Sequence, residues 1–88
     1  MSKKVLVSVF DKVAGLYSPA MTEINPESAI RNFKIGAKQN AQISASPDDY
    51  CLVLIGTFDD ESGEIGPVDH VDGYSPVLIQ AKDLFSAD

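Results

Sequence analysis

The fold is decided by Tyr50-Cys51-Leu52-Val53-Leu54-Ile55-Gly56-Thr57-Phe58, a stretch that is apolar at nearly every position. A strand with one solvent-exposed face alternates apolar and polar side chains, whereas a strand that is buried on both faces is apolar throughout. Alternation divides the side chains between two faces, with Tyr50, Leu52, Leu54 and Phe58 on one and Cys51, Val53, Ile55 and Thr57 on the other. We therefore predict a central strand over residues 50–58.

Four further strands are predicted around this one. Residues 5–10 alternate Val5, Val7 and Val9 with Leu6, Ser8 and Phe10, and their β-branched side chains favour a second interior strand. The acidic turn of residues 59–63 ends in a glycine that can take positive φ, so residues 64–68 are predicted to return antiparallel. Short strands are predicted over residues 20–24 and 77–80. Residues 11–18 are expected to be irregular, and residues 41–47 to form a polar connection.

One helix is predicted to begin at Pro26 and to fray by about Asn40. Asn25 can cap the first amides, Pro26 suits the first helical position, and Glu27 favours the positive end of the helix dipole. Apolar residues then recur with a period of 3.6 residues, at Ala29, Ile30, Phe33 and Ala37. This stripe is expected to lie on the sheet, with Phe33 as its largest anchor.

The fold class that follows is α+β, a small antiparallel sheet of three to five strands with one main helix packed on a face. With 88 residues and 44% hydrophobic composition, the chain is expected to form one domain over residues 1–80 with a C-terminal tail over residues 81–88 that is helical or frayed. A chain this short buries only about 60–65% of its unfolded surface. A homodimer that hides more apolar surface is therefore a hypothesis.

Thirteen acidic and seven basic side chains give a net charge of −6, which disfavours non-specific binding to a phosphate backbone. The single cysteine, Cys51, cannot form a disulfide within the chain. The first apolar run, residues 5–10, is too short for a signal peptide or a membrane span. We expect a cytoplasmic protein that does not bind membranes.

No set of residues predicts catalysis or a resident metal. The acidic residues around Gly63 lack the spacing of an EF-hand loop, so a solvated turn is favoured over a calcium site. His70 has no second histidine to complete a zinc set, and Cys51 is expected to be a buried small hydrophobe. We predict that the protein is not an enzyme and needs no cofactor.

Six of the seven basic residues suggest a nucleic-acid surface. Three form a stripe along the predicted helix and three flank the first strand: Arg31, Lys34 and Lys38, and Lys3, Lys4 and Lys12. Exposed aromatics such as Tyr17 and Tyr74 could stack on single-stranded bases. The simpler interpretation is an ordinary solvated helix surface in which Glu27 pairs with Arg31.

Residues 46–60, Ser-Pro-Asp-Asp-Tyr-Cys-Leu-Val-Leu-Ile-Gly-Thr-Phe-Asp-Asp, and the following Gly63-Glu64-Ile65 resemble the hallmark stretch of the small nonstructural protein of gokushoviruses. These are microviruses, bacteriophages with single-stranded circular DNA genomes. Residues 7–12 and 29–33 resemble the same family, so that the resemblance covers roughly residues 5–65.

The resemblance implies a nonstructural accessory protein of viral genome replication, working in the cytoplasm of the bacterial host. Two hypotheses follow. In the first, the protein binds single-stranded DNA weakly through its basic residues. In the second, it is a protein-binding module that engages a viral or host replication protein through its acidic turn or an apolar edge strand.

Overall fold

The computed structural model of the chain describes residues 3–68 and 76–85. In chain order its elements are β1 (Lys3–Asp11), β2 (Leu16–Tyr17), β3 (Met21–Glu23), α1 (Pro26–Gln39), α2 (Ala41–Ala45), β4 (Tyr50–Asp59), β5 (Ile65–Gly66) and β6 (Val77–Gln80). Short 3₁₀ turns occupy Pro47–Asp49 and Ala81–Leu84. The predicted α+β class is confirmed. The strands number six because β2 lies in the segment that was expected to be irregular.

All six strands belong to one antiparallel sheet with β1 and β4 at its centre. β2 and β3 pair with different parts of the outer edge of β1, and β5 and β6 do the same along the outer edge of β4. Both central strands are thus as predicted. The longest apolar stretch lies in the middle of the sheet because it needs cover on both edges and both faces.

α1 packs on one face of the sheet and creates the core there. Asn25 caps it as predicted, since its side-chain oxygen accepts a hydrogen bond of 2.8 Å from the backbone N–H of Ser28. The buried stripe consists of Pro26, Ala29, Phe33 and Ala37. It packs against β-strand residues that include Val7 and Leu54, so the predicted phase of the helix is confirmed.

A β-bulge in β4 changes the faces that the sequence pattern indicates. Val7 pairs with Leu54 but Leu6 pairs with Gly56, which leaves Ile55 as the extra residue of the bulge. Beyond this point the alternation is reversed, and Thr57, opposite Val5, lies on the helix side. The prediction that Phe58 shares a face with Leu54 is therefore wrong, because one inserted residue exchanges every following side chain between faces.

The segment after α1 is a second correction. Residues 41–47 were expected to form a polar connection, but residues 41–45 form α2. Asn40 explains the difference, since its side-chain oxygen accepts hydrogen bonds from the backbone N–H groups of Gln42 at 2.9 Å and Ile43 at 3.1 Å. An N-cap of this kind starts a new helix directly after the old one, and α2 then buries Ile43 in the core.

The other face of the sheet carries no α-helix among the described residues, since α1 and α2 both contribute to the core on the α1 side. We call it the open face. The register places on it eight apolar side chains, of which Cys51 and Val53 are buried: Leu6, Phe10, Tyr17, Cys51, Val53, Phe58, Ile65 and Val77. The sheet therefore has one packed face and one face without a helical layer.

Candidate binding surfaces

The six cations predicted to contact nucleic acid do not form one surface. Lys3 and Lys4 stand at one end of β1, and Lys12 follows its other end, about 30 Å away at the rise of an extended strand. Lys4 is paired with Asp60 at 3.3 Å. Lys12 donates hydrogen bonds to the backbone oxygen of Asp48 at 3.2 Å and to Gln80 Oε1 at 2.7 Å. Lys4 and Lys12 therefore have local partners of their own.

The three cations of α1 do stay together. Arg31, Lys34 and Lys38 are all exposed and follow one flank of the helix. Arg31 Nη2 donates to Ser28 Oγ at 3.4 Å, and none of the three lies within 4 Å of a carboxylate of the described residues, so the pairing of Arg31 with Glu27 does not form. We call this set the basic stripe.

The exposed aromatic ring that was expected to stack on bases lies on the other face of the sheet from the basic stripe. Tyr17 is exposed and its ring packs on that of Phe10, with 4.6 Å between the centroids. Both rings belong to the open face, on the side of the sheet away from α1. Tyr74 and His70 lie outside the described residues. Within residues 3–68 and 76–85, cations and exposed aromatic rings therefore do not line a common groove.

The acidic turn after β4 is held by its own backbone. Asp59 Oδ1 accepts hydrogen bonds from the N–H groups of Glu61 at 2.9 Å and Ser62 at 3.4 Å. The Glu61 bond is the main reason that the pKa of Asp59 lies below its ordinary value of 3.8; burial opposes this shift, while the Ser62 amide and the charge of Lys3 add to it. The turn uses this carboxylate as a structural acceptor.

Two general properties of the described residues bear on function. No group of three or more histidine, cysteine or acidic side chains in residues 3–68 and 76–85 is arranged to hold a metal ion. Every helix in the same part of the chain is too short or too polar to cross a bilayer. Cys51 is a buried free cysteine in the middle of the sheet.

Sequence reasoning did not find the cleft between α1 and the edge of the sheet. It has a volume of about 230 Å³ and is lined mainly by apolar side chains, with three polar groups. The lining residues are Val7, Val9, Met21, Glu23, Ala29, Asn32, Phe33, Gly36, Ala37, Asn40, Ile43 and Leu52. At one side the Asn32 Nδ2 group donates to both carboxylate oxygens of Glu23, at 3.0 and 3.2 Å, and so ties α1 to β3.

Gly36 lines this cleft and, because it has no side chain, leaves space there. It lies in the interior of α1, where a glycine costs about 1 kcal/mol of helix stability relative to alanine. The packing does not require it, because an added Cβ would meet no atom within 4 Å, and its backbone lies outside the positive-φ region. A glycine that the fold does not need, beside an apolar cleft, was the one signal in the sequence that could have indicated this site.

The model of the family described as Phage ORF5 protein matches residues 4–83. The chain belongs to this phage family. Apart from Lys3, the first residue of β1, the Phage ORF5 match includes every strand, both helices, the cleft and the basic stripe, so these features lie within the part of the chain that the family shares. The predicted phage origin is confirmed at this level. Searches of curated proteins and of solved structures gave no match.

Proposed function

We propose that this Phage ORF5 protein is a non-enzymatic accessory protein of viral genome replication, and that it acts by binding a viral or host replication protein in the host cytoplasm. The resemblance of residues 46–60 to the gokushovirus nonstructural protein supports the place in replication. The apolar cleft beside Gly36 is the observation that carries the binding role. Apolar clefts with a few fixed polar groups are the usual form of a recognition site.

The cleft suits an extended segment of a partner protein. One edge of β3 pairs with β1, and the other edge has no strand partner within the described residues. A peptide added along this edge would gain main-chain hydrogen bonds, and an apolar side chain could enter the cleft under α1. The carboxylate of Glu23, which faces the same cleft, could accept a hydrogen bond from the peptide.

A cleft-filling variant tests this role. Gly36→Leu should place a side chain in the cleft without loss of fold, because leucine favours a helix more than glycine does. Ala45→Leu, at an exposed position of α2, is the matched control. Tagged proteins would be captured from infected cells after nuclease treatment, and their partners identified and quantified by mass spectrometry.

The expected result is that wild type and Ala45→Leu retain the same replication protein and that Gly36→Leu retains about tenfold less, as the loss of roughly 1.4 kcal/mol of binding energy implies. Equal recovery by both leucine variants would contradict binding in the cleft. Loss of every partner on nuclease treatment would contradict a protein partner altogether.

A second candidate function is weak binding of single-stranded DNA along α1. The specific observation in its favour is the basic stripe, whose three cations have no acidic partner among the described residues. The net charge of −6 opposes it. The contact would therefore be weak and strongly dependent on salt.

A triple variant tests the second candidate. Arg31→Ala, Lys34→Ala and Lys38→Ala together should remove phosphate contacts and leave the core intact, because all three side chains are exposed. In fluorescence anisotropy with a labelled oligonucleotide at low salt, affinity should fall. The slope of log affinity against log salt should become shallower by about 0.7 for each lost contact. No binding by wild type, or equal affinity of the variant, would exclude this function.

A further inference from the structure

The cleft beside Gly36 continues into a second cleft along the same edge of the sheet. The second cleft has a volume of about 340 Å³ and lies between β2 and α2. Val9, Asn40 and Ile43 line both clefts, so the two are adjacent sections of one groove. We call it the edge groove. It offers a partner a longer binding surface than the first cleft alone.

Exposed apolar side chains line both sections of the edge groove. Leu16 on β2 is 67% exposed and lines the second cleft, and Met21 on β3 is 43% exposed and lines the first. Leu16 pairs with Asp11 and Met21 pairs with Val7, so both side chains lie on the α1 side of the sheet. An extended segment along this edge would therefore cover apolar surface in both sections.

The charged side chains that line the edge groove are both acidic. Within the described residues they are Glu23, in the first cleft, and Asp11, in the second. Glu23 pairs with Val5, which precedes Asp11 on β1, and the rise of an extended strand places the two carboxylates about 20 Å apart along the sheet. Neither carboxylate has a lysine or arginine nitrogen within 4 Å in the part of the chain that the structure describes. The groove therefore has an unpaired negative charge toward each end.

The cations of α1 do not offset these carboxylates, because they lie on the far side of the helix. Gly36 lines the groove. At about 100° per residue, Lys34 and Lys38 each lie about 160° around the helix axis from Gly36, and Arg31 lies about 140° from it. The basic stripe is therefore directed away from the edge groove, and the net charge of −6 adds to the attraction of the groove for cations.

We propose that the edge groove binds an extended segment of the partner protein in which apolar residues lie between two basic ones. This inference rests on the proposed function and names the chemistry of the segment that the same site accepts. Side chains of an extended segment point the same way at every second residue, and 20 Å corresponds to about six residues. The segment therefore has the pattern basic-x-apolar-x-apolar-x-basic. Its basic ends pair with Glu23 and Asp11, while their aliphatic stems pack on Met21 and Leu16.

Selection from a library of displayed random peptides tests this chemistry. The library would be depleted on Gly36→Leu, which fills the first cleft, and then selected on wild type, so that the retained peptides are those that need an open cleft. Fluorescence anisotropy with synthetic copies would give their affinities for wild type, Glu23→Gln and Asp11→Asn. Glutamine and asparagine keep an oxygen acceptor for the bonds from Asn32 and from the turn after β1. Glu27→Gln is the matched control, because it removes one negative charge at an exposed position on the far side of α1.

The retained peptides are expected to carry two basic residues about six positions apart with apolar residues between them. Glu23→Gln and Asp11→Asn should each weaken their binding by about two- to fivefold, as the loss of one exposed ion pair implies, and Glu27→Gln should change it little. Retained peptides without an excess of basic residues overturn the inference and leave the proposed function in place. So does a loss with Glu27→Gln as large as with Glu23→Gln, or no loss with any of the three. If no peptide prefers wild type to Gly36→Leu, the proposed function itself is contradicted, and the inference is lost with it.

Discussion

Asp59 is the residue at which ionisation and local structure are most directly linked. Its carboxylate accepts the Glu61 and Ser62 amides, and its pKa is lowered below 3.8, chiefly by the Glu61 bond. A lowered pKa in the folded state means that ionisation stabilises the fold above the ordinary value. This stabilisation is lost as the pH falls through the folded pKa.

The Asp59→Asn variant should reveal this contribution. Asparagine keeps an oxygen acceptor for the two amides but does not titrate. Wild type should be more stable than Asp59→Asn at neutral pH, and the difference in urea midpoint should shrink between roughly pH 5 and pH 2. A difference that stays constant over this range would mean that ionisation of Asp59 does not support the turn.

Gly56 is required where two backbones meet. A Cβ at this position would lie 2.8 Å from the carbonyl oxygen of Gly66 on β5, which is closer than real contacts allow. Gly56→Ala should therefore force β5 away and destabilise the protein by about 1–3 kcal/mol. The same substitution at Gly36 is the control and should stabilise by about 0.5–1 kcal/mol, because nothing lies within 4 Å there. Urea denaturation of both variants checks the contrast, and equal effects would refute it.

At the scale of elements, α1 depends on one aromatic anchor. Phe33 is buried in the core cluster beneath the helix. Phe33→Ala should cost about 3–5 kcal/mol, because truncation loses transfer energy and leaves a cavity. Ile35→Ala is the matched control, since Ile35 lies on the same helix but is 57% exposed, and its truncation should cost less than about 0.5 kcal/mol. Similar denaturation midpoints for the two variants would show that the anchor is elsewhere.

The elements also show which parts of the fold the sequence could predict. The predicted N-cap and buried face of α1 were both correct, because Asn25, Pro26 and an apolar stripe with a period of 3.6 residues are local signals. The faces of β4 beyond Ile55 were wrong because a bulge is specified by the pairing of two strands and has no mark in one of them. The start of α2 was missed because Asn40 was taken for the frayed end of α1, whereas it caps the next helix.

Over the whole molecule, charge and function were predictable to different degrees. Composition indicated an acidic chain, and the basic stripe was found from spacing alone. The cleft was not found, because Met21, Asn32 and Gly36 come together only when β3 and α1 lie side by side. The sequence also could not show that Tyr17 and the basic stripe lie on different faces of the sheet, since this depends on which face α1 covers.

The net charge of −6 leads to a prediction for the whole molecule. Excess like charge destabilises a compact state, and salt screens it over about 10 Å at 0.1 M. The urea midpoint should therefore rise between 20 and 300 mM sodium chloride. A midpoint that falls with salt would mean that attractive ion pairs outweigh the repulsion.

The pairing of β1 with β4 limits how early the sheet can fold while the chain is being synthesised on the ribosome. Lys3 pairs with Asp59 and Asp11 with Tyr50, so one edge of the first strand has no partner until residues 50–59 have been made, although β2 and β3 can pair with its other edge earlier. Pairing of strands that are distant in sequence slows folding, because the entropy cost of closing a long loop must be met before the strand contacts compensate for it. While β4 is still being synthesised, the nascent chain exposes Val5, Val7 and Phe33 without a sheet to cover them. We therefore expect translation speed and chaperone access before residue 59 emerges to affect the yield of folded protein.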